Sequence, residues 1–237
     1  MSEGTAKDRS GRSPGVRTST IRSFIAVPLP AEVRAAILAA VHDGVVSDAA
    51  SGLAARLPDL RWSRRADNLH VTLKFLGQVD PALLARFSQE LAAALRGIPG
   101  FDIQLRGFGA FPSLRDAQVV WVGVDDPARR LEQVAAIVEE VAARAPLRLG
   151  SDPALGRRPF RAHVTVGRAP RRSRHGVDAT TALAPAADLP FGGASVSEVH
   201  VYESITGGDA STYILRGTAT LEGATHGDRQ DRYQGRN

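Results

Sequence analysis

His70-Val71-Thr72-Leu73 returns 93 positions later as His163-Val164-Thr165-Val166. In each copy a polar residue alternates with an aliphatic one, the period-2 pattern of a strand with one buried face. His and Thr, two apart, leave the strand on one side; Val71 with Leu73, and Val164 with Val166, leave on the other. Two strands therefore press aliphatic side chains into a core and hold out an imidazole and a hydroxyl each. Facing one another across a cleft, they would gather two histidines and two threonines around one point.

Outward from these phrases the chain alternates strands and helices. Phe24 to Leu29 reads as a strand, and Ala31 to His42 as a helix with Pro30 at its entrance. Residues 44–58 are helix or loop, and a short strand falls near Leu60-Arg61-Trp62. The first repeated strand spans Leu69 to Gln78. Asp80-Pro81 pairs an N-cap with proline at the first helical position and opens a helix to Leu95. Phe101 to Phe111 and Gln118 to Val124 are strands joined by the turn-rich Pro112 to Asp116. Asp126-Pro127 repeats the helix-start signal, for a helix to Ala145. The second repeated strand spans Phe160 to Arg168. Residues 170–193 carry little pattern beyond a short helix, and Val196–Ser204 with Ser211–Leu221 form an antiparallel pair. Hairpin-like strand pairs mixed with helices favour α+β over a strictly parallel sheet. Each phrase is central in a roughly repeated strand–helix–strand unit. This predicts an internal duplication: two lobes in one domain, with two antiparallel sheets facing a central cleft.

Composition sets wide bounds. At 237 residues, 43% hydrophobic and 23% charged, the chain can bury a substantial core. Cysteine is absent, which removes disulfides, thiolate metal sites and a cysteine nucleophile. No apolar run is long enough to span a bilayer, and the polar N-terminus lacks a secretory core, so no membrane partner and a cytoplasmic location are expected. The net charge of +5 permits an anionic partner without requiring one. Residues 1–20 and 223–237 are small, polar and basic and read as disordered tails, with the folded domain between them at 21–222. Nothing in the pattern asks for assembly, so a monomer is expected.

The paired phrases suit displacement at phosphorus, which needs attacking and leaving oxygens roughly in line. One imidazole can take a proton from the nucleophile while the other gives one to the departing oxygen. An unperturbed value of about 6.5 lets one ring be neutral and the other cationic near neutral pH. Threonine hydroxyls donate to the non-bridging oxygens. The chain has no His-Glu-x-x-His, no Asp-rich loop and no Cys, so no metal or other cofactor is expected.

Around the phrases, further text matches a family. Arg22-Ser23-Phe24-Ile25-Ala26-Val27-Pro28-Leu29-Pro30, Asn68 through Gly77, Gly109-Ala110-Phe111-Pro112, Val120 through Val124, Arg161 through Arg168 and Val201-Tyr202-Glu203-Ser204 occur in the family's order. Over residues 22–221 the chain resembles the 2H phosphoesterase superfamily, and within it the RNA 2′,3′-cyclic phosphodiesterases, also called 2′-5′ RNA ligases. The resemblance implies metal-independent hydrolysis of an RNA or nucleoside 2′,3′-cyclic phosphate to a 2′-phosphate. It makes His163 the proton acceptor and His70 the proton donor, with Thr72 and Thr165 on the phosphate. Arg168, five residues after its histidine, matches a phosphate-contacting arginine, although strict alternation sets it on the face opposite His163. Phe75, five after His70, matches an aromatic position that stacks on a base. Two other outcomes stay open at this level: ligation to a 5′-hydroxyl by the same residues, and a nucleotide- or RNA-binding module without turnover. His42 and His175 read as solvated, His200 as structural, Trp62 and Trp121 as core or cleft wall, and Arg171, Arg172 and Arg174 as a loop that could follow RNA phosphates.

Overall fold

The two repeated phrases fold side by side. In a computed structural model describing residues 20–44, 51–145, 159–170, 175–207 and 210–223, Val71 and Val164 are antiparallel cross-strand partners. Their strands, β3 (His70–Val79) and β6 (His163–Arg168), lie at the centre of a single sheet. The other strands are β1 (Ile21–Pro28), β2 (Arg61–Trp62), β4 (Phe101–Ser113), β5 (Asp116–Asp125), β7 (Pro190–Val196), β8 (Glu198–Gly207) and β9 (Ala210–Thr220). They run in the order β7-β4-β5-β6-β3-β1-β8-β9, with β2 also paired to β6. The two expected sheets are therefore halves of one hydrogen-bonded sheet, joined through the Val71–Val164 pairing. Local alternation cannot reveal such a join, because it depends on a contact between residues 93 positions apart.

Helices α1 (Ala31–His42), α2 (Leu53–Arg56), α3 (Pro81–Leu95), α4 (Arg130–Arg144) and α5 (Thr180–Leu183) cover the aliphatic face. α3 packs on β9 and α4, α4 on β3, and α1 on β7. α3 buries Leu84, Phe87, Leu91 and Leu95 at helical spacing, and α4 buries Leu131, Val134, Val138 and Val141 likewise. Val71, Leu73, Val164 and Val166 join this core, so the aliphatic side of each phrase is buried as the pattern predicts. Asp80 caps α3 by accepting the Ala82 N–H at 2.7 Å.

Three local expectations change. α4 begins at Arg130 rather than beside Asp126-Pro127: Arg129 takes a left-handed conformation (φ 52°), while Asp126 reaches past the turn to accept the Leu131 N–H. Residues 190–193, read as weakly structured, belong to edge strand β7 (Pro190–Val196), which pairs with β4. Gly192 and Gly193 hide it, since glycine lowers strand propensity and breaks the alternating pattern. The turn expected at Pro112 to Asp116 shrinks to two residues as β4 and β5 continue into it. The tails expected at 1–20 and 223–237 lie outside the described residues except at their inner ends, as do Arg171, Arg172 and Arg174.

Candidate active site

Each histidine opens its strand and is fixed by its own backbone. A ring N–H of His70 donates to the Asn68 carbonyl, and Nδ1 of His163 bonds the Arg161 carbonyl at 2.6 Å. In both cases the acceptor is two residues upstream, so one local geometry serves both motifs. The Nδ1–H tautomer at His163 leaves its Nε2 lone pair available as a proton acceptor.

The Val71–Val164 register, carried one residue either way, sets His70 opposite Thr165 and Thr72 opposite His163. The two histidines are then diagonal neighbours on one face of the sheet. The four polar residues singled out in the sequence are brought together.

Phe75 and Arg168 join them through paired irregularities. The β1–β3 register slips between Ile25 and Ala26, leaving Leu73 as the extra residue; the β5–β6 register slips between Val120 and Trp121, leaving Val166 extra. Both bulges fall three positions after the motif histidine. A bulge reverses the alternation beyond it, so the residue five after each histidine returns to the histidine's face. Arg168 is thus on the site face, where its Nη2 approaches Thr165 Oγ1 at 3.4 Å. This corrects the strict-alternation reading that set it opposite. Phe75, 39% exposed, lies beside Phe24 with ring centroids 6.1 Å apart.

Rings wall both sides. Phe24 stacks on His70 at 4.9 Å and on Tyr202 at 5.3 Å, and Tyr213 meets Phe24 and His70 edge-on at 4.8 and 5.4 Å. Around His163, Phe111 approaches edge-on at 5.2 Å and is backed by Trp121 at 5.3 Å. The Trp121 ring occupies space left by Gly109, its partner across β4–β5, and its buried indole N–H has no hydrogen-bond partner among the described residues. Tyr213 escaped the sequence reading because its strand is remote in the sheet; its only signal was a polar aromatic on a strand. His200 is 7% exposed and bonded at both ring nitrogens, to Glu198 at 2.9 Å and to the Tyr202 hydroxyl at 2.8 Å, a structural role as expected. His42 departs from its solvated reading, since its Nε2 lies 2.8 Å from the Ser63 carbonyl.

The site disfavours cations on its own rings. Burial, then the Arg168 charge, push His70 down from 6.5 to about 4 against the Asn68 bond, with His163 adding a smaller push. His163 is lowered as well, first by burial and then by Arg168, against its bond to Arg161. Burial and the Arg168 charge thus favour the neutral form of both imidazoles. Among the described residues no cluster of three or more His, Cys, Asp or Glu side chains could hold a metal ion. No helix among them is long and apolar enough to cross a membrane.

Comparison with known proteins gives a consistent result. A family model described as the 2′-5′ RNA ligase superfamily matches residues 46–208. The RNA 2′,3′-cyclic phosphodiesterase of Aeropyrum pernix is 32% identical over 139 residues, covering 59% of this chain and 74% of that protein. That of Escherichia coli is 35% identical over 147 residues, covering 61% and 70%. A third, from Methanothermobacter thermautotrophicus, is 36% identical over 102 residues, 43% of this chain, and the match spans about half (51%) of its length. Among solved structures, E. coli LigT complexed with 3′-AMP superposes with a TM-score of 0.61 at 27% identity, covering 86% of this chain and 99% of that one. The family model spans both histidine motifs and the strands that seat them, and on that match the chain belongs to the 2′-5′ RNA ligase superfamily.

Proposed function

We propose that the protein hydrolyses the 2′,3′-cyclic phosphate at the end of an RNA or nucleoside to a 2′-phosphate, without a metal ion. The observation that carries this reading is the pairing of two His-x-Thr strands, which brings two imidazoles and two hydroxyls onto one face. It is supported by relatives named RNA 2′,3′-cyclic phosphodiesterase and by the LigT complex with 3′-AMP. The units β1–α1–β3 and β5–α4–β6, each delivering one motif strand, support a duplicated architecture of two lobes in one domain over residues 21–222.

In this scheme Thr72 and Thr165 donate to the non-bridging oxygens, with Arg168 beside Thr165 countering the phosphate charge. His163 Nε2 takes a proton from water as its oxygen bonds phosphorus. The bond from phosphorus to the 3′ oxygen breaks, and His70 protonates that oxygen. His70 is neutral in the free protein because burial and Arg168 oppose its charge. An arriving phosphate anion offsets Arg168 and favours the imidazolium, so His70 takes up a proton from solvent as substrate binds. Phe75, exposed and next to Phe24, offers a face to the terminal base.

The test is incubation with adenosine 2′,3′-cyclic phosphate in EDTA, with products separated by chromatography. Turnover to adenosine 2′-monophosphate is expected. Tight binding without turnover would replace the enzyme by a binding module. A 2′-5′ linked product when a 5′-hydroxyl strand is added would assign ligation to the same residues.

A further inference from the structure

The sheet face that holds the histidines has more cationic capacity than one cyclic phosphate monoanion requires. In β1 the alternation is regular, because the bulges lie on β3, so Arg22 projects from the same face as Phe24. Phe24 is the ring against which His70 stacks. Tyr213 is wedged edge-on against both. Its hydroxyl lies in the field of the Arg168 and Arg22 charges, and the two guanidinium groups act on each other. Burial raises the Tyr213 value, so the phenol remains a hydrogen-bond donor at neutral pH.

Neither arginine forms an ion pair with a carboxylate of the described residues, whereas Arg34, Arg106, Arg129, Arg144 and Arg216 all do. The cross-strand partner of Arg168 on β2 is a further cation, Arg61. Like charges gathered at a half-covered site raise one another's free energy unless an anion joins them. A free cyclic nucleoside brings one anion, and the histidine–threonine pairs with Arg168 already meet it. An RNA end brings a second, one ribose away: the 5′-phosphodiester of its terminal nucleotide.

We propose that Arg22 and the Tyr213 hydroxyl, with Arg168 shared between the two anions, form a second anion seat beside the paired histidines, which takes the 5′ phosphate of the terminal nucleotide and makes chain ends, rather than free cyclic nucleosides, the preferred substrate. The proposal rests on reading the histidine pair as the reacting-phosphate site. Arg22 meets the second phosphate, Arg168 beside Thr165 lies between the two anions, and Tyr213 donates to the second from the ring wall. The arrangement requires no movement of His70, since Tyr213 already touches it.

The test is a binding comparison that does not depend on turnover. Adenosine 2′-monophosphate and adenosine 2′,5′-bisphosphate are titrated calorimetrically into the full chain at one ionic strength. The bisphosphate should bind at least about tenfold tighter, as expected for a new charge-assisted contact to phosphate. Arg22→Gln should bring that ratio to within about twofold of unity, and Tyr213→Phe should reduce it in part. Arg86→Gln, which removes a cation from α3, should keep the ratio, and melting curves check that each variant folds. A ratio near one in the unaltered protein, or one unchanged by Arg22→Gln, overturns the seat alone. Failure of both nucleotides to bind overturns the seat together with the reading of the histidine pair.

Discussion

His70 and Tyr213 stand on β3 and β9, with β1 and β8 between them in the sheet, yet their ring centroids are 5.4 Å apart. Three inter-strand steps in a flat sheet would separate their backbones by about 14 Å. The half-sheet therefore curls strongly, and residues 66–68 at the entrance to β3 touch β9. Curling turns an ordinary antiparallel surface into a trough, with the Phe24 and Tyr213 rings against His70.

The first expectation concerns the two histidines. His70→Ala and His163→Ala should each lower kcat by roughly 10²–10⁴-fold, the usual contribution of a positioned acid or base. Thermal unfolding should change little for His163→Ala, whose ring is only half-buried. A bell-shaped dependence of rate on pH should accompany the unaltered protein. If either variant kept full activity, proton transfer at both oxygens would be wrong.

Stability should depend on pH through His70. The unfolded chain takes up its proton near the ordinary value of 6.5, while the folded protein does so only near 4. Between these values the unfolded state binds more protons, so stability rises with pH across the window. The contribution is fully present above about 6.5 and is lost as pH falls toward 4. It amounts to at most about 3 kcal/mol. Melting temperatures of the unaltered protein and of His70→Gln, measured at pH 7.5 and 4.5, should diverge on acidification, with the unaltered protein falling more steeply. Parallel slopes would contradict a depressed imidazole.

Arg168 should be visible from His70. Its charge is the second cause, after burial, of the low His70 value, and it also lowers His163. Arg168→Gln should move both imidazole titrations upward in an NMR pH series. The His70 shift should remain incomplete because burial persists. The same variant should weaken nucleotide binding by about tenfold or more through loss of a charge-assisted contact to phosphate. An unmoved His70 titration would place the guanidinium elsewhere.

What the sequence disclosed follows from what is local. Alternation within four residues was enough to find both motif strands, their buried faces and the four residues that meet. Capping chemistry at Asp80-Pro81 found α3. The bulges at Leu73 and Val166 were not legible, because a bulge is a mismatch with a partner strand and leaves no mark on the bulged strand itself. They decide where Phe75 and Arg168 point, which is why the face read from alternation for Arg168 was wrong. Tyr213 was hidden for a related reason: its place beside His70 comes from the curl of four strands, which no single segment specifies. β7 was obscured by its own glycines, and the single sheet by the distance in sequence between its central strands.

The wall behind His163 offers a test of how far packing alone controls the site. Gly109 and Trp121 are cross-strand partners, and a methyl group at Gly109 would lie 2.2 Å from Trp121 Cη2 and 2.3 Å from Cζ2. Real carbon contacts do not approach so closely, and the indole is a rigid plate, so Gly109→Ala must tilt the ring or part the strands. Tilting displaces Phe111, which rests on the indole and meets the His163 ring edge-on. The overpacking should cost about 1–3 kcal/mol of stability. It should also lower kcat more than it alters KM, because the His163 ring is displaced while the threonines remain. Gly207→Ala provides the contrast: a methyl there meets nothing within 4 Å. That change should stay within about 0.5 kcal/mol and leave the rate unaltered. Calorimetric melting and steady-state rates on the two variants, with indole emission reporting the ring's surroundings, separate a shared packing path from a mere loss of stability. Equal rates at Gly109→Ala and in the unaltered protein would show that His163 is held by its Arg161 bond alone.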